Sequence, residues 1–244
     1  INEIPQIKYI ITLDCDTILP MDTAKKLIGV MEHPINKPII SGKTVVKGHA
    51  LIQPKVGISM ESSVLSDFSK MFAGSGGIDP YSTAESNVYQ DLFDEAIFTG
   101  KGIFNVEIFN KLLKDEIPEN TVLSHDLLEG SYLRCGLASD IEVIDGFPSR
   151  VNSYMLRLSR WTRGDWQIIS WLFKGPLNSL SKYKIFDNLR RSLLDIFLLA
   201  LFFVNGYIPA LFVIFFPFIS DLLNVLFCHR SGKKSKNYLP IFDG

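Results

Sequence analysis

The chain is poor in cysteine and almost without net charge. Its 244 residues hold three cysteines, Cys15, Cys135 and Cys228, far apart and without a C-x-x-C pair. That excludes a zinc knuckle, suggests no disulfide framework and fits a reducing compartment. A net charge of -1 leaves no basic footprint for nucleic acid. Gly74-Ser75-Gly76-Gly77 with Asp79-Pro80 reads as a loop, but no Gly-Lys-Ser/Thr follows, so it is not a P-loop. His33, His49 and His229 have no ligand spacing. Internal repeats and low-complexity segments are absent. The chain starts at Ile1 rather than a methionine and reads as an excerpt from a longer protein.

What is present begins with Asp14-Cys15-Asp16, at the end of the apolar run Lys8–Leu13. Residues i and i+2 of an extended chain point to the same side. Two hard oxygen ligands placed so can share a divalent cation, which can neutralise a diphosphate. Residues 7–13 therefore read as a buried strand ending at paired carboxylates. Asp22 then reads as the N-cap of a helix over Ala24–Met31. Ile39–Val46 looks like a strand or hairpin arm. Ala50–Val56 is a second strand, with Pro54 implying an edge or an end. Ser62–Phe72 and Val106–Lys114 read as helices, Thr121–Leu123 as strand-like, Gly136–Val143 as a strand and Arg157–Phe173 as a helix. Ser124 or His125 stands at a helix N-terminus, with Asp126 in its first turn. Alternating strands and helices argue for an α/β domain, whose ligands gather at the carboxyl ends of strands.

From Leu193 to Cys228 the chain turns strongly apolar, and its only formal charges are Asp195 and Asp221. A bilayer core needs about 20 apolar residues per helix. Two membrane helices, roughly 189–205 and 207–228, are predicted as a hairpin. Arg190 and Arg191 precede it, and His229, Arg230, Lys233, Lys234 and Lys236 follow it, which favours the cytoplasmic side for both ends.

Three sites occur in order: Asp14-x-Asp16, His125-Asp126, and Arg160-Trp161-Thr162-Arg163-Gly164-Asp165-Trp166-Gln167. This order resembles the processive membrane glycosyltransferases of the cellulose and hyaluronan synthase type, except that Arg157 stands where a glutamine is expected. A more specific resemblance covers residues 7 to 175. Leu13-Asp14-x-Asp16-Thr17-x-Leu19-Pro20, Ile78–Tyr81, Val88–Phe93, Phe98-Thr99-Gly100-Lys101-Gly102-Ile103, Ser124–Gly130 and Arg163–Gln167 look like the glycosyltransferase segment of cyclic β-1,2-glucan synthases.

The resemblance implies a partial GT-A-type (Rossmann-like) glycosyltransferase domain over residues 1–188. A transmembrane helical hairpin over 189–228 and a cytoplasmic basic segment over 229–244 would follow. It implies a very large inner-membrane parent protein with its catalytic domain facing the cytoplasm. The strand that would recognise the uracil base is expected upstream of Ile1. The donor would be UDP-glucose and the acceptor a growing β-1,2-glucan, with inversion at the anomeric carbon. Two other readings stay open: another membrane polysaccharide synthase making a β-1,3- or β-1,4-linked polymer, and a non-catalytic membrane scaffold.

Such a transfer must neutralise the diphosphate, deprotonate the acceptor hydroxyl and hold both substrates in line. Asp16, and Asp14 more loosely, are the candidates for binding Mg²⁺ or Mn²⁺ and the diphosphate. Asp126 is the candidate general base, with His125 as the alternative. Arg160 and Arg163 are candidates for clamping the diphosphate. Trp161, Lys101, Gly100, His125 and Glu129 are expected near the acceptor. Trp166 offers either a sugar platform or a membrane-interface anchor. Asp165 reads equally as a structural ion-pair partner. Asp79 and Tyr81 enter on the resemblance alone.

Overall fold

The computed structural model describes residues 7–73, 88–114, 116–118, 120–204, 208, 211 and 215. Asp79, Tyr81 and nearly all of 207–228, with the whole of 229–244, lie outside them.

The Tyr9–Thr12 run forms a short strand, β1, and Thr23–Glu32 forms helix α1. A hairpin follows, β2 (Ile39–Ser41) and β3 (Thr44–Lys47), and then β4 (Leu51–Ile58), α2 (Met60–Ser63), α3 (Asp67–Phe72) and α4 (Val88–Phe93). Next come β5 (Gly102–Asn105), α5 (Val106–Leu113), α6 (Asp126–Leu133) and β6 (Cys135–Asp145). Two longer helices close the described chain, α7 (Val151–Gln167) and α8 (Ser179–Phe203). β1, β5, β4 and β6 lie side by side in that order. β4 and β6 are parallel, and β5 runs antiparallel to both β1 and β4. Strands β1, β4 and β6 therefore share one direction, and their carboxyl ends meet the start of β5 at one edge.

Alternation along the strands feeds two cores. Leu51 and Phe104 face one cluster, with Leu128, Tyr132, Leu133, Ile185 and Leu189. Their neighbours Ile52 and Ile103 face the other, with Leu27, Met31, Ala138 and Ile141. Thr23, Leu27 and Met31, spaced by four, are the buried stripe of α1. Helices thus cover both faces of a mixed sheet, as expected of an α/β domain.

Several sequence expectations need correction. β1 lies at the edge of the described sheet and is only half-buried, not a buried strand. Asp22 precedes α1 in a left-handed conformation and makes no side-chain cap; it pairs with Lys25 at 3.1 Å instead. The single helix expected over Ser62–Phe72 is two, because Ser66 and Ser69 form a reciprocal capping box that restarts the chain at Asp67. Thr121–Leu123 is not a strand. Helices α7 and α8 begin earlier than read, at Val151 and Ser179.

Pro54 lies inside β4, not at its end. β5 pairs only with Leu51 and Ile52, and the β6 register jumps between Pro54↔Ala138 and Lys55↔Glu142. The missing N–H therefore falls at an irregularity, where proline is tolerated.

By contacts the chain divides into two units, Ile1–Leu189 and Arg190–Gly244, with α8 continuous across the boundary. No helix among the described residues is both long and apolar enough to cross a membrane. The first half of α8 carries Lys182, Lys184, Asp187, Arg190 and Arg191, which leaves only its last third uniformly apolar apart from Asp195.

Within the first unit, Lys184 is buried. It donates to Glu95 Oε1 at 2.8 Å and to the Ala96 carbonyl at 3.1 Å. This pair ties α8 to the segment that leads into Thr99-Gly100-Lys101. Removing one partner of a buried pair strands the other charge, at a cost of about 3–5 kcal/mol. Lys184→Met is expected to destabilise the first unit by that amount. Adding Glu95→Leu should recover most of the loss, as read from the unfolding midpoints of the single and double variants.

Candidate active site

The carboxyl ends of β1, β4 and β6 and the start of β5 open into a cleft of about 610 Å³. Asp14 and Asp16 line it from the turn after β1, Gly100 and Lys101 from the turn before β5, and Asp145 from the last position of β6. Ser124, His125 and Asp126 come from the entry to α6, and Arg157, Arg160 and Trp161 from α7. A strand-end cleft of this kind is where α/β sheets bind ligands.

Lys101 sits at its base, 8% exposed. Its Nζ lies 2.7 Å from Asp14 Oδ2 and 3.0 Å from Asp145 Oδ2. Burial opposes the charge, but the hydrogen bond to Asp14 and the field of Asp145 outweigh it and hold the lysine pKa above its ordinary value. Thr17 Oγ1 donates to Asp145 Oδ1 at 2.5 Å. Asp16, further out, has one oxygen 3.8 Å from an Arg157 guanidinium nitrogen, and that guanidinium lies 6.0 Å from the centre of the Trp161 ring. The oxygen-only donors of Asp14 and Asp16 suit a hard divalent cation. Asp16 is the freer of the two, since Asp14 is already engaged by Lys101.

On the opposite wall, Asp126 packs over Gly100. A Cβ on Gly100 would stand 3.3 Å from Asp126 Oδ2, and its φ of +93 belongs to glycine. Burial raises the Asp126 pKa above the ordinary carboxylate value, and the neighbouring Glu129 adds to it. His125, the Ser124 hydroxyl at 3.2 Å and Lys101 pull the other way. His125 Nδ1 lies 2.8 Å from Glu129 Oε1, and this hydrogen bond raises the histidine pKa. Ligand atoms of His125, Asp126 and Glu129 lie within 4.8 Å of one another. The His125–Glu129 bond already accounts for that convergence without a cation.

Of the residues expected from sequence, Asp14, Asp16, Lys101, Gly100, His125, Asp126, Arg160 and Trp161 line the cleft. Arg163 and Trp166 are not among the lining residues, and Glu129 reaches the cleft through His125. Arg157, read as a departure from a glutamine, lines the cleft beside Arg160 and Trp161, at positions i, i+3 and i+4 of one helical face. Asp145 escaped the sequence reading, and Thr17 entered it only as part of the Leu13–Pro20 motif. A carboxylate ending an apolar strand was the available signal for Asp145, the same signal that marked Asp14.

The Arg163–Gln167 segment has a structural task. Gly164 faces Ser124 so closely that a Cβ would stand 2.8 Å from Ser124 Cβ. Gln167 Oε1 accepts from the Leu123 amide at 2.8 Å, and Asn188 Nδ2 donates to Asp165 at 3.0 Å. The segment docks α7 against the loop that presents Asp126.

No protein-family model matches the chain. The cyclic β-(1,2)-glucan synthase NdvB of Rhizobium meliloti (strain 1021) is 44% identical to it over 239 residues, 92% of this chain and 8% of that protein. The chain is homologous to a segment of that synthase. It spans only 8% of the length of this curated relative.

Because Gly164 sets the distance between α7 and the Asp126 loop, Gly164→Ala should displace that loop while sparing the sheet. A misplacement of this size costs on the order of tenfold to a hundredfold in rate. The expected result is such a loss of turnover in the parent protein, with an unfolding midpoint close to that of the unsubstituted protein.

Proposed function

We propose that this chain is the glycosyl-transfer segment of a cyclic β-1,2-glucan synthase. It would move glucose from UDP-glucose onto the growing glucan with inversion at the anomeric carbon. The observation that carries this reading is the arrangement of one cleft. A desolvated carboxylate, Asp126, stands on one wall, and a strand-end carboxylate pair flanked by guanidinium groups stands on the other. The identity to the Rhizobium synthase supports the sugar and the linkage.

Asp126 accepts the proton of the attacking hydroxyl. A carboxylate whose charged form is disfavoured by burial is a stronger base than one in water. Asp16, with Asp14, would hold Mg²⁺ or Mn²⁺, which supplies positive charge to the diphosphate leaving group. Arg157 and Arg160 place planar donors on the same side for phosphate oxygens. Trp161 offers a flat apolar face to a sugar ring. Trp166, outside the cleft, suits an interfacial anchor better than a sugar platform.

The membrane hairpin is part of the proposal. Ile196, Phe197, Leu199, Phe202 and Phe203 at the end of α8 are all more than half exposed, which suits an apolar surround. The catalytic domain would face the cytoplasm, and the remaining domains of the parent protein would process the product.

The direct test supplies radiolabelled UDP-glucose and Mg²⁺ or Mn²⁺ to membranes holding the full-length protein, followed by linkage analysis. A metal-dependent β-1,2-glucan is expected. Another linkage would point to a different polysaccharide synthase, and no transfer from any sugar nucleotide would leave a scaffold. Asp126→Asn should abolish transfer while UDP-glucose binding persists.

The pH profile carries a second expectation. Asp126 works only when ionised and its pKa is raised, so activity should fall as pH drops through a value above the ordinary carboxylate range. A profile flat down to that ordinary range would remove Asp126 as base.

A further inference from the structure

Asp145 is 4% exposed, too buried to reach a diphosphate, yet it sits directly behind the donor side of the cleft. Both its oxygens are used, one accepting from Thr17 Oγ1 at 2.5 Å and the other from Lys101 Nζ at 3.0 Å. Lys101 passes the contact on to Asp14 at 2.7 Å. The Asp14–Thr17 turn is closed by the Thr17 amide donating to the Asp14 carbonyl at 3.1 Å. Just beyond it, Ile18 and Ile144 exchange backbone hydrogen bonds of 2.7 and 3.0 Å. The turn is therefore held at both ends from the tip of β6, with Asp16 between the two attachments.

On the reading proposed above, we infer that Asp145 is a positioning residue for the donor: through Lys101 and Thr17 it fixes the turn that carries Asp14 and Asp16. A single ammonium shared by two carboxylates stays at the cleft base. Without the Asp145 charge, Lys101 has, among the described residues, only Asp14 as an ion-pair partner and is drawn toward it. Asp14 then loses its set position, and Thr17 keeps only a neutral acceptor in place of a charged one. The consequence falls on the donor and spares the acceptor, because Asp126 is attached through α6 and α7.

The test uses the full-length protein with Asp145→Asn and, separately, Thr17→Val. The second removes one hydroxyl from a half-buried turn and spares the ion pair. Three quantities are read: the KM for UDP-glucose, the KM for a glucan acceptor, and the calorimetric affinity for UDP with Mg²⁺. Asp145→Asn is expected to raise the donor KM and weaken UDP binding about tenfold, with the acceptor KM unchanged. Thr17→Val should act in the same direction by a smaller factor, about threefold. Unchanged donor KM and UDP affinity in both variants overturn the inference. So does a loss of kcat that leaves the donor KM and UDP affinity as they were. Should Asp145→Asn fail to fold, Thr17→Val alone decides by the same criteria. Failure of the unsubstituted protein to bind UDP or transfer glucose would instead overturn the function proposed above.

Discussion

The buried ammonium of Lys101 is the contact around which the cleft is arranged. A lysine this enclosed keeps its charge only when anions surround it. Here one anion comes from the turn after β1 and the other from the end of β6. The turn before β5 must then deliver the lysine to the same point, which fixes Gly100 in its left-handed conformation. Gly100 in turn leaves the space into which Asp126 packs. One charge balance thus couples three strand ends at the base of the cleft.

That coupling gives the two carboxylate systems different electrostatic characters. Asp14 and Asp145 share the Lys101 ammonium, which joins the turn after β1 to the end of β6 at the base of the cleft. Among the described residues Asp126 has only the Ser124 hydroxyl at hydrogen-bond distance, with Glu129 nearby and burial disfavouring its charge. His125 and Glu129 are hydrogen-bonded to each other beside Asp126; Glu129 adds to the raised pKa of Asp126 and the imidazole opposes it.

Much of this was legible in the sequence wherever it depended on strand ends. An apolar run stopping at Asp14-Cys15-Asp16, and glycines bracketing Lys101, announce backbone turns at a ligand edge. His125-Asp126 at a helix start is readable for the same reason. The contributions that escaped depend on which strands become neighbours. Asp145 acquires meaning only because β6 lies parallel to β4, with its end beside the β1 turn. Arg157 looked like a fault in a family pattern, because its spacing to Arg160 and Trp161 shows a shared face but not where that face points. Pro54 was read as marking an edge or an end, yet it lies inside β4, where a local irregularity admits it. The break in the helix expected over Ser62–Phe72 turned on two serines capping each other, which outweighed an otherwise helical run.

Helix α7 shows why motif residues and site residues do not coincide. Arg157, Arg160 and Trp161 face the cleft, whereas Gly164 and Gln167 face the loop carrying Asp126. One helix therefore touches the Asp16 side of the cleft with its middle and the Asp126 loop with its end. Its length sets the separation between them, since a rise of about 1.5 Å per residue is not adjustable. The Asn188–Asp165 contact and the Lys184–Glu95 pair then tie α8 to this helix and to the segment before Gly100. Any displacement of the first half of α8 must be felt at both walls, because both are fastened to it within a few residues of the side chains that line the cleft.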